Sequence, residues 1–265
     1  MLAYIGYIIG ALFLAFPLFI MYRYGIKMQR QYSMSFLRMM IRLCVFGVAV
    51  FYLVVWDNLL ADIVFLLFMI AYSSVSVLVK SRLELRVYGV PVAVGIFAST
   101  VVVSCMLLLL CQSLGMSYGS RILLPMLGIV AGGLVDPVSK SLVVYYGGLL
   151  HHNQLYNYLL GNGADSDKAL DYLLRRAMQK AVVVGMSRMS GIAVGITPLV
   201  MWIMVFCGTP LLDAVVLQVV LTIAVMSASL AASWVSLAVA RHYSVDAYGR
   251  VRKPVVKKGG EDGVA

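Results

Sequence analysis

The stretch Leu124-Pro125-Met126-Leu127-Gly128-Ile129-Val130-Ala131-Gly132-Gly133-Leu134-Val135-Asp136-Pro137-Val138-Ser139-Lys140 decides the fold class. It is apolar or conformationally special up to Val135 and then abruptly carries an acid and a base. Extended outward over Ile122–Leu149, it exceeds the roughly 20 apolar residues that one helix needs to cross a bilayer core. Gly128 and Gly132 form a small-xxx-small surface of the kind that lets membrane helices approach closely. Pro125 and Pro137 predict kinks or a broken helix. Asp136 and Lys140 are four apart with the acid first, the favourable order for an ion pair on one helical face. Charges at membrane depth are costly and usually face a bundle interior or a wet cavity, which makes Asp136 a candidate pathway residue; the alternative is that the membrane helix ends near Val135 and leaves both charges at the cytoplasmic surface.

The same pattern recurs on both sides. Seven apolar segments of bilayer length run about Leu2–Tyr22, Phe36–Trp56, Leu60–Val79, Val87–Cys111, Ile122–Leu149, Met189–Cys207 and Ala214–Ala240. Composition agrees: 62% of the 265 residues are hydrophobic and 12% are charged, too little charge to cover a soluble surface. The reading is an all-α polytopic membrane protein of about seven transmembrane helices. Residues 1–240 form its membrane domain, and 241–265 form a polar, mobile cytoplasmic tail.

Basic residues set the orientation. Arg23, Lys27, Arg30, Arg38 and Arg42 surround the first loop, and Lys80, Arg82 and Arg86 the third. Lys168, Arg175, Arg176, Lys180 and Arg188 fill the fifth, and a further cluster follows Arg241. The alternate loops hold Arg121, Asp57 and Asp213. The positive-inside rule then puts the N-terminus out and the C-terminus in. The formal charge of +10 belongs to this topology and not to nucleic acid, since no basic–aromatic interleaved patch accompanies it.

The fifth loop, about 151–188, carries a turn-rich Gly161-Asn162-Gly163-Ala164-Asp165 followed by a capped amphipathic helix. Ala169, Leu170, Leu173, Leu174, Ala177, Met178 and Ala181 make its apolar stripe. That stripe suits either a cytoplasmic partner, or the membrane surface or the protein's own bundle. Thr197-Pro198 interrupts the sixth segment and marks a hinge or a packing kink. Cys44, Cys105, Cys111 and Cys207 form no CxxC pair, and the 16 methionines read as helix packing. His151 and His152 are adjacent, which points them to different faces, and a metal site stays unassigned. A Gly-rich loop ending in GK[ST] does not occur, so ATP hydrolysis by that route is not in this chain.

Four patches together resemble the FetB-type family of ABC transporter permeases, to which plant aluminium-sensitive permeases are similar. They are Arg38 to Leu43 with Gly47; Leu124-Pro125 with Gly128, Gly132 and Gly133; Gly163-Ala164 with Arg175; and Pro198, Gly208, Ala214 and Gln218. Arg42, Gly133 and Leu199 stand where the family has Gln, Asn and Gly. The resemblance implies the permease subunit of an ABC transporter in a bacterial inner membrane, exporting a metal ion such as iron. A small organic or nucleotide-sugar solute is the alternative cargo. It implies a homodimer in the lipid bilayer, paired with a separate ABC-type ATPase subunit that binds the ATP, this chain carrying no cofactor of its own. Arg38, Asp136 and Gln218 are then expected on the pathway. Pro125, Gly128, Gly132 and Pro198 are expected as flex points, and Gly163, Ala164, Leu170, Leu173 and Arg175 as the ATPase-coupling element. The competing classes are an intramembrane enzyme, for which only Asp136, Lys140, Arg38 and Arg42 are available, and a seven-helix receptor or scaffold.

Overall fold

The structure is a computed structural model that describes residues 16–25, 28–56, 58–113, 120–151, 162, 166–192 and 198–244. Its described elements are all helices: α1 (16–23), α2 (Gln29–Trp56), α3 (Leu59–Ser81), α4 (Leu85–Ser113), α5 (Ser120–His151), α6 (Ser166–Ser190), α7 (Leu199–Phe206) and α8 (Leu211–Ser244). The chain divides into two compact units, 1–56 and 57–265. In the first unit α2 is apolar along most of its length, yet Leu53 is its only buried residue. The second unit holds α3 to α8.

Among the described residues five helices are long and apolar enough to cross a membrane, namely α2, α3, α4, α5 and α8. They match five of the seven expected spans. The first expected span lies mostly outside the described residues, with only its end seen as α1. The sixth is not one uninterrupted helix. α6 ends at Ser190 and α7 has eight residues, about 12 Å at 1.5 Å per residue, against a core of about 30 Å. The protein is a polytopic, all-helical membrane protein.

Local chemistry fixes the helix ends. The Asn58 side chain accepts from Leu60 N at 3.1 Å and caps α3, and Asp62 lies in that helix's first turn, where the dipole favours an acid. At the other end Arg82 adopts φ 57°, and Leu83 N bonds Leu78 O at 3.1 Å, a left-handed C-terminal cap. The link from α7 to α8 is equally tight. Gly208 takes φ 87°, which only glycine adopts without strain, and Thr209 donates both N–H and Oγ1 to Met204 O.

α5 packs against α3, α6 and α8, and α8 packs against α4, α5, α6 and α7. The core is aliphatic with tyrosines at one end: Leu134, Val138, Leu142 and Tyr145 of α5, Ile96 of α4 and Leu237 of α8 are fully buried. Tyr88 of α4 packs at a tilt against Tyr146 of α5, with centroids 4.6 Å apart. α5 and α6 run antiparallel, since Arg188 reaches Gly133 while Leu173 lies against Gly148.

Two expectations about α5 change. It stays helical through both Pro125 and Pro137, so neither proline breaks it. Nor do Gly128 and Gly132 form the close helix contact. A Cβ at Gly132 would meet nothing within 4 Å, and one at Gly128 would make ordinary contact with Met69 at 3.8 Å. The close approaches are at Gly133 against Val225, Gly185 against Met226 and Gly148 against Leu173, 2.6 Å from a built Cβ. Gly95 differs in kind: its built Cβ would sit 2.8 Å from the Ala232 carbonyl oxygen, a backbone atom that cannot turn away. Small-residue spacing says that helices approach; it does not say which face of the helix the partner takes.

Candidate functional site

Pro137 has no N–H, so the carbonyl four residues earlier in α5 loses its helical donor. That carbonyl belongs to Gly133. Arg188 of α6 supplies what the proline removed, donating Nη1 to Gly133 O at 2.6 Å. Its other nitrogen, Nη2, donates to Asp136 Oδ2 at 2.7 Å. A planar guanidinium with two parallel donors is the side chain shaped for this double task. Lys80, in the last turn of α3, donates Nζ to Asp136 Oδ1 at 2.5 Å. One carboxylate therefore ties three helices together. The expected partner of Asp136 was Lys140, one turn along α5. Lys140 is exposed, and the two cations from neighbouring helices take the carboxylate instead. Side chains converging from different helices meet head-on, whereas an i, i+4 pair must lie flat along its own helix.

Beside this cluster lies a cavity of about 460 Å³ between α5, α6, α7 and α8. Asp136, Pro137 and Arg188 line its charged end, and Gln218, Thr222 and Val200 its less polar end. A neighbouring, almost wholly apolar cavity of about 420 Å³ shares Gln218 and Thr222 and is bordered by Pro198 and Met201. The interruption of the sixth segment thus lies against both cavities.

Gln218 has a structural task here. α7 begins after Pro198, which offers no side-chain cap. The Gln218 carboxamide oxygen, reaching across from α8, accepts from Met201 N at 3.2 Å, and its Nε2 donates to Thr222 at 3.4 Å. An orphan amide of the first turn of α7 is satisfied by a side chain from another helix.

Of the expected pathway residues, Asp136 and Gln218 line one cavity. Arg38 lies exposed on α2 in the first unit. Among the expected flex points, Pro198 opens α7, while Pro125, Gly128 and Gly132 sit within unbroken α5. In the expected coupling element, Gly163 and Ala164 lie outside the described residues. Leu170 and Leu173 are buried in the bundle core, as are Ala177 and Ala181, so the apolar stripe of α6 is spent on its own bundle. Arg175 and Tyr172 are exposed. At the polar end of α6, Asp171 pairs with Arg241 of α8 at 3.7 Å.

Sequence reasoning counted Lys80 and Arg188 only as topogenic charges. Nothing in the linear pattern marks them as partners of Asp136, 56 and 52 residues away. Asp62 was also overlooked, and it is 4% exposed. Its signal was available as a lone acid inside an otherwise apolar span.

The Uncharacterised protein family (UPF0014) matches residues 4–244. The chain belongs to it. That family is one of permease-like membrane proteins associated with ABC transporters. No curated protein and no solved structure matches the chain.

Proposed function

We propose that this family member is the membrane-spanning permease subunit of an ATP-driven transporter, with ATP bound and hydrolysed by a separate ABC-type ATPase subunit. The observation that carries the reading is a cavity set against an interrupted sixth segment, with a doubly clamped carboxylate at one end. Interrupted helices beside midplane cavities are a recurring device of transporters.

α6 supplies the mechanical link. It is a helix of 25 residues, about 37 Å long, buried along one face against α5 and α8. One end exposes Tyr172 and Arg175, and the other carries Arg188 into the cavity. A partner pressing on the exposed end displaces the helix as a rod, and the displacement reaches the Arg188–Asp136–Lys80 cluster. The cluster then re-pairs in the second state of the cycle. Leu170 and Leu173 hold the rod to the bundle, and Tyr172 and Arg175 are the residues that meet the ATPase.

The cargo proposed from the family resemblance is a metal ion moving outward. The cavity refines this. Asp136 and Arg188 line the cavity and Lys80 backs the carboxylate from outside it, so the cluster beside the cavity carries one surplus positive charge, which favours a metal travelling with anionic ligands over a bare cation.

The test is purification of the solubilised protein from its native membranes, followed by mass spectrometry of what accompanies it. A stoichiometric ATPase that is lost from a Tyr172→Ala/Arg175→Ala double variant, with the variant still folded, supports the reading. An intact variant and wild type that both purify without any ATPase, under conditions that preserve a known transporter complex, sink it.

A further inference from the structure

The cavity beside the Asp136 cluster runs along one face of α8. Gln218, Leu221, Thr222, Val225, Met226 and Ser229 line it, a spacing of three and four residues that keeps all six on one side of the helix. Every described residue that lines it is buried or half-buried, so it is a recess within the bundle and not a stretch of lipid-facing surface. The neighbouring apolar cavity differs, since Val215, Val219 and Ile223 on its wall are exposed.

The polar groups of the recess are unequally committed. Thr222 and Ser229 spend their hydroxyl protons on carbonyls of their own helix, Gln218 O at 2.7 Å and Met226 O at 2.8 Å. Asp136 has one carboxylate oxygen on Lys80 and the other on Arg188. What the recess has left over is N–H. A guanidinium carries five N–H groups, and among the described residues Arg188 uses two, on Gly133 and Asp136. The Gln218 carboxamide carries two and uses one, on Thr222. Arg188 is bonded to the Gly133 carbonyl and Gly133 abuts Val225, so the guanidinium lies level with Val225. Gln218 lies two turns back on α8, about 10 Å along the helix axis. Between the two donors the wall is hydrocarbon: Leu221 and Val225 from α8 and Ile129 from α5.

A recess of about 460 Å³, mostly apolar with a few placed polar groups, has the size and lining that suit an organic molecule. A hydrated inorganic ion suits it badly. Its water would face Leu221, Val225 and Ile129, which return no hydrogen bond, and shedding that water is costly. Spare N–H donors beside a surplus positive charge select an acceptor that carries negative charge.

Resting on the permease reading, we propose that the recess binds an organic anion with an apolar body. Its anionic group meets the spare N–H groups of Arg188, its body lies against Leu221, Val225 and Ile129, and a neutral acceptor such as a carbonyl or ether oxygen reaches Gln218. A metal enters as a passenger ligated by such an anion, and not as an ion in its own water.

The test uses the full chain purified into lipid nanodiscs, with empty nanodiscs subtracting what partitions into lipid. Calorimetric titration follows three probes: 4-phenylbutylphosphonate, which has head and body; 4-phenylbutylammonium, which has the body and the opposite charge; and inorganic phosphate, which has the head alone. The phosphonate is expected to bind saturably, and the other two at least about tenfold more weakly. Removing one CH₂ from the linker is expected to weaken binding about fourfold. Val200→Trp, which fills the recess from α7, is expected to weaken phosphonate binding at least about tenfold with the Tm unchanged. Phosphate or the ammonium binding as tightly as the phosphonate, no binding of the phosphonate, or undiminished binding to a folded Val200→Trp variant overturns the proposal. The probe comparison uses the unaltered protein, so it decides even where the variant fails to fold. None of these titrations needs ATP or an ATPase. Failure of the ligand is read here and failure of the permease reading in the co-purification, so the two are told apart.

Discussion

α2 and α5 are both long helices fit to cross a membrane, and they treat their apolar surface in opposite ways. α2 is the more apolar of the two and buries only Leu53. α5 carries two prolines, Gly128, Gly132, Gly133 and Asp136 without a break, yet buries half of its membrane window, packing against α3, α4, α6 and α8. In water the more apolar helix is the more buried one. In lipid apolarity no longer decides burial, because hydrocarbon gives apolar side chains no reason to leave it, and helices associate through close backbone contact and polar pairing. Glycine, proline and charge are what bind α5 into the bundle.

The comparison breaks most sharply at the glycine contacts. Gly95→Val places a branched side chain against the Ala232 carbonyl, and overpacking of this kind costs about 3 kcal/mol. It is expected to lower the Tm in detergent more than any other single change proposed here. If the variant melts like the wild type, the α4–α8 approach is not as close as the structure has it.

Next comes the polar clamp. Arg188→Ala leaves the Gly133 carbonyl without a donor and Asp136 with Lys80 alone, a loss of about 2 kcal/mol after allowing for the partial exposure of the pair. Arg188→Lys keeps the charge but cannot serve both acceptors in parallel, so it is expected to recover less than half of that loss. Full rescue by lysine in thermal melts would mean that charge alone matters, and that the proline-freed carbonyl is irrelevant. Asp136→Ala, which leaves two cations facing each other, is expected to insert normally and to lower transport at least about tenfold, equivalent to 1.4 kcal/mol. Unchanged transport in vesicles would remove Asp136 from the mechanism.

The smallest effects test the comparison from its other side. Gly132→Ala fills open space on α5 and gains helix propensity, so it is expected to stabilise by about 0.5–1 kcal/mol. Leu43→Ala on α2 removes an exposed apolar side chain and is expected to change the Tm of the purified chain by less than about 0.5 kcal/mol equivalent. A large loss at either site would show that the surface in question is covered by another subunit, which is the expectation for a permease that pairs with its own copy.

What the sequence made legible follows the same division. The spans of α2, α3, α4, α5 and α8 are readable because length and apolarity are local properties of the chain. In the sixth segment the break at Thr197-Pro198 was legible, but not that the helix restarting after Pro198 takes its cap from Gln218 of another helix. Asp136 was legible as a costly charge, but its partners were not. The helical rule proposes the nearest cation on the same helix, and tertiary packing brought Lys80 and Arg188 closer. The amphipathic stripe of α6 was legible as a stripe. Its destination was not, since a stripe records that a surface will be covered and leaves the covering surface open.

The bond from Arg188 to the carbonyl freed by Pro137 also constrains how this chain can drift over evolutionary time. The arginine completes a helix that the proline leaves incomplete, so the two positions form an asymmetric bargain. An ancestor that acquired the proline first would have been penalised until the arginine arrived, whereas arginine first would have been tolerated. Relatives with neither residue, or with arginine alone, are therefore expected, and relatives with the proline alone are expected to be rare.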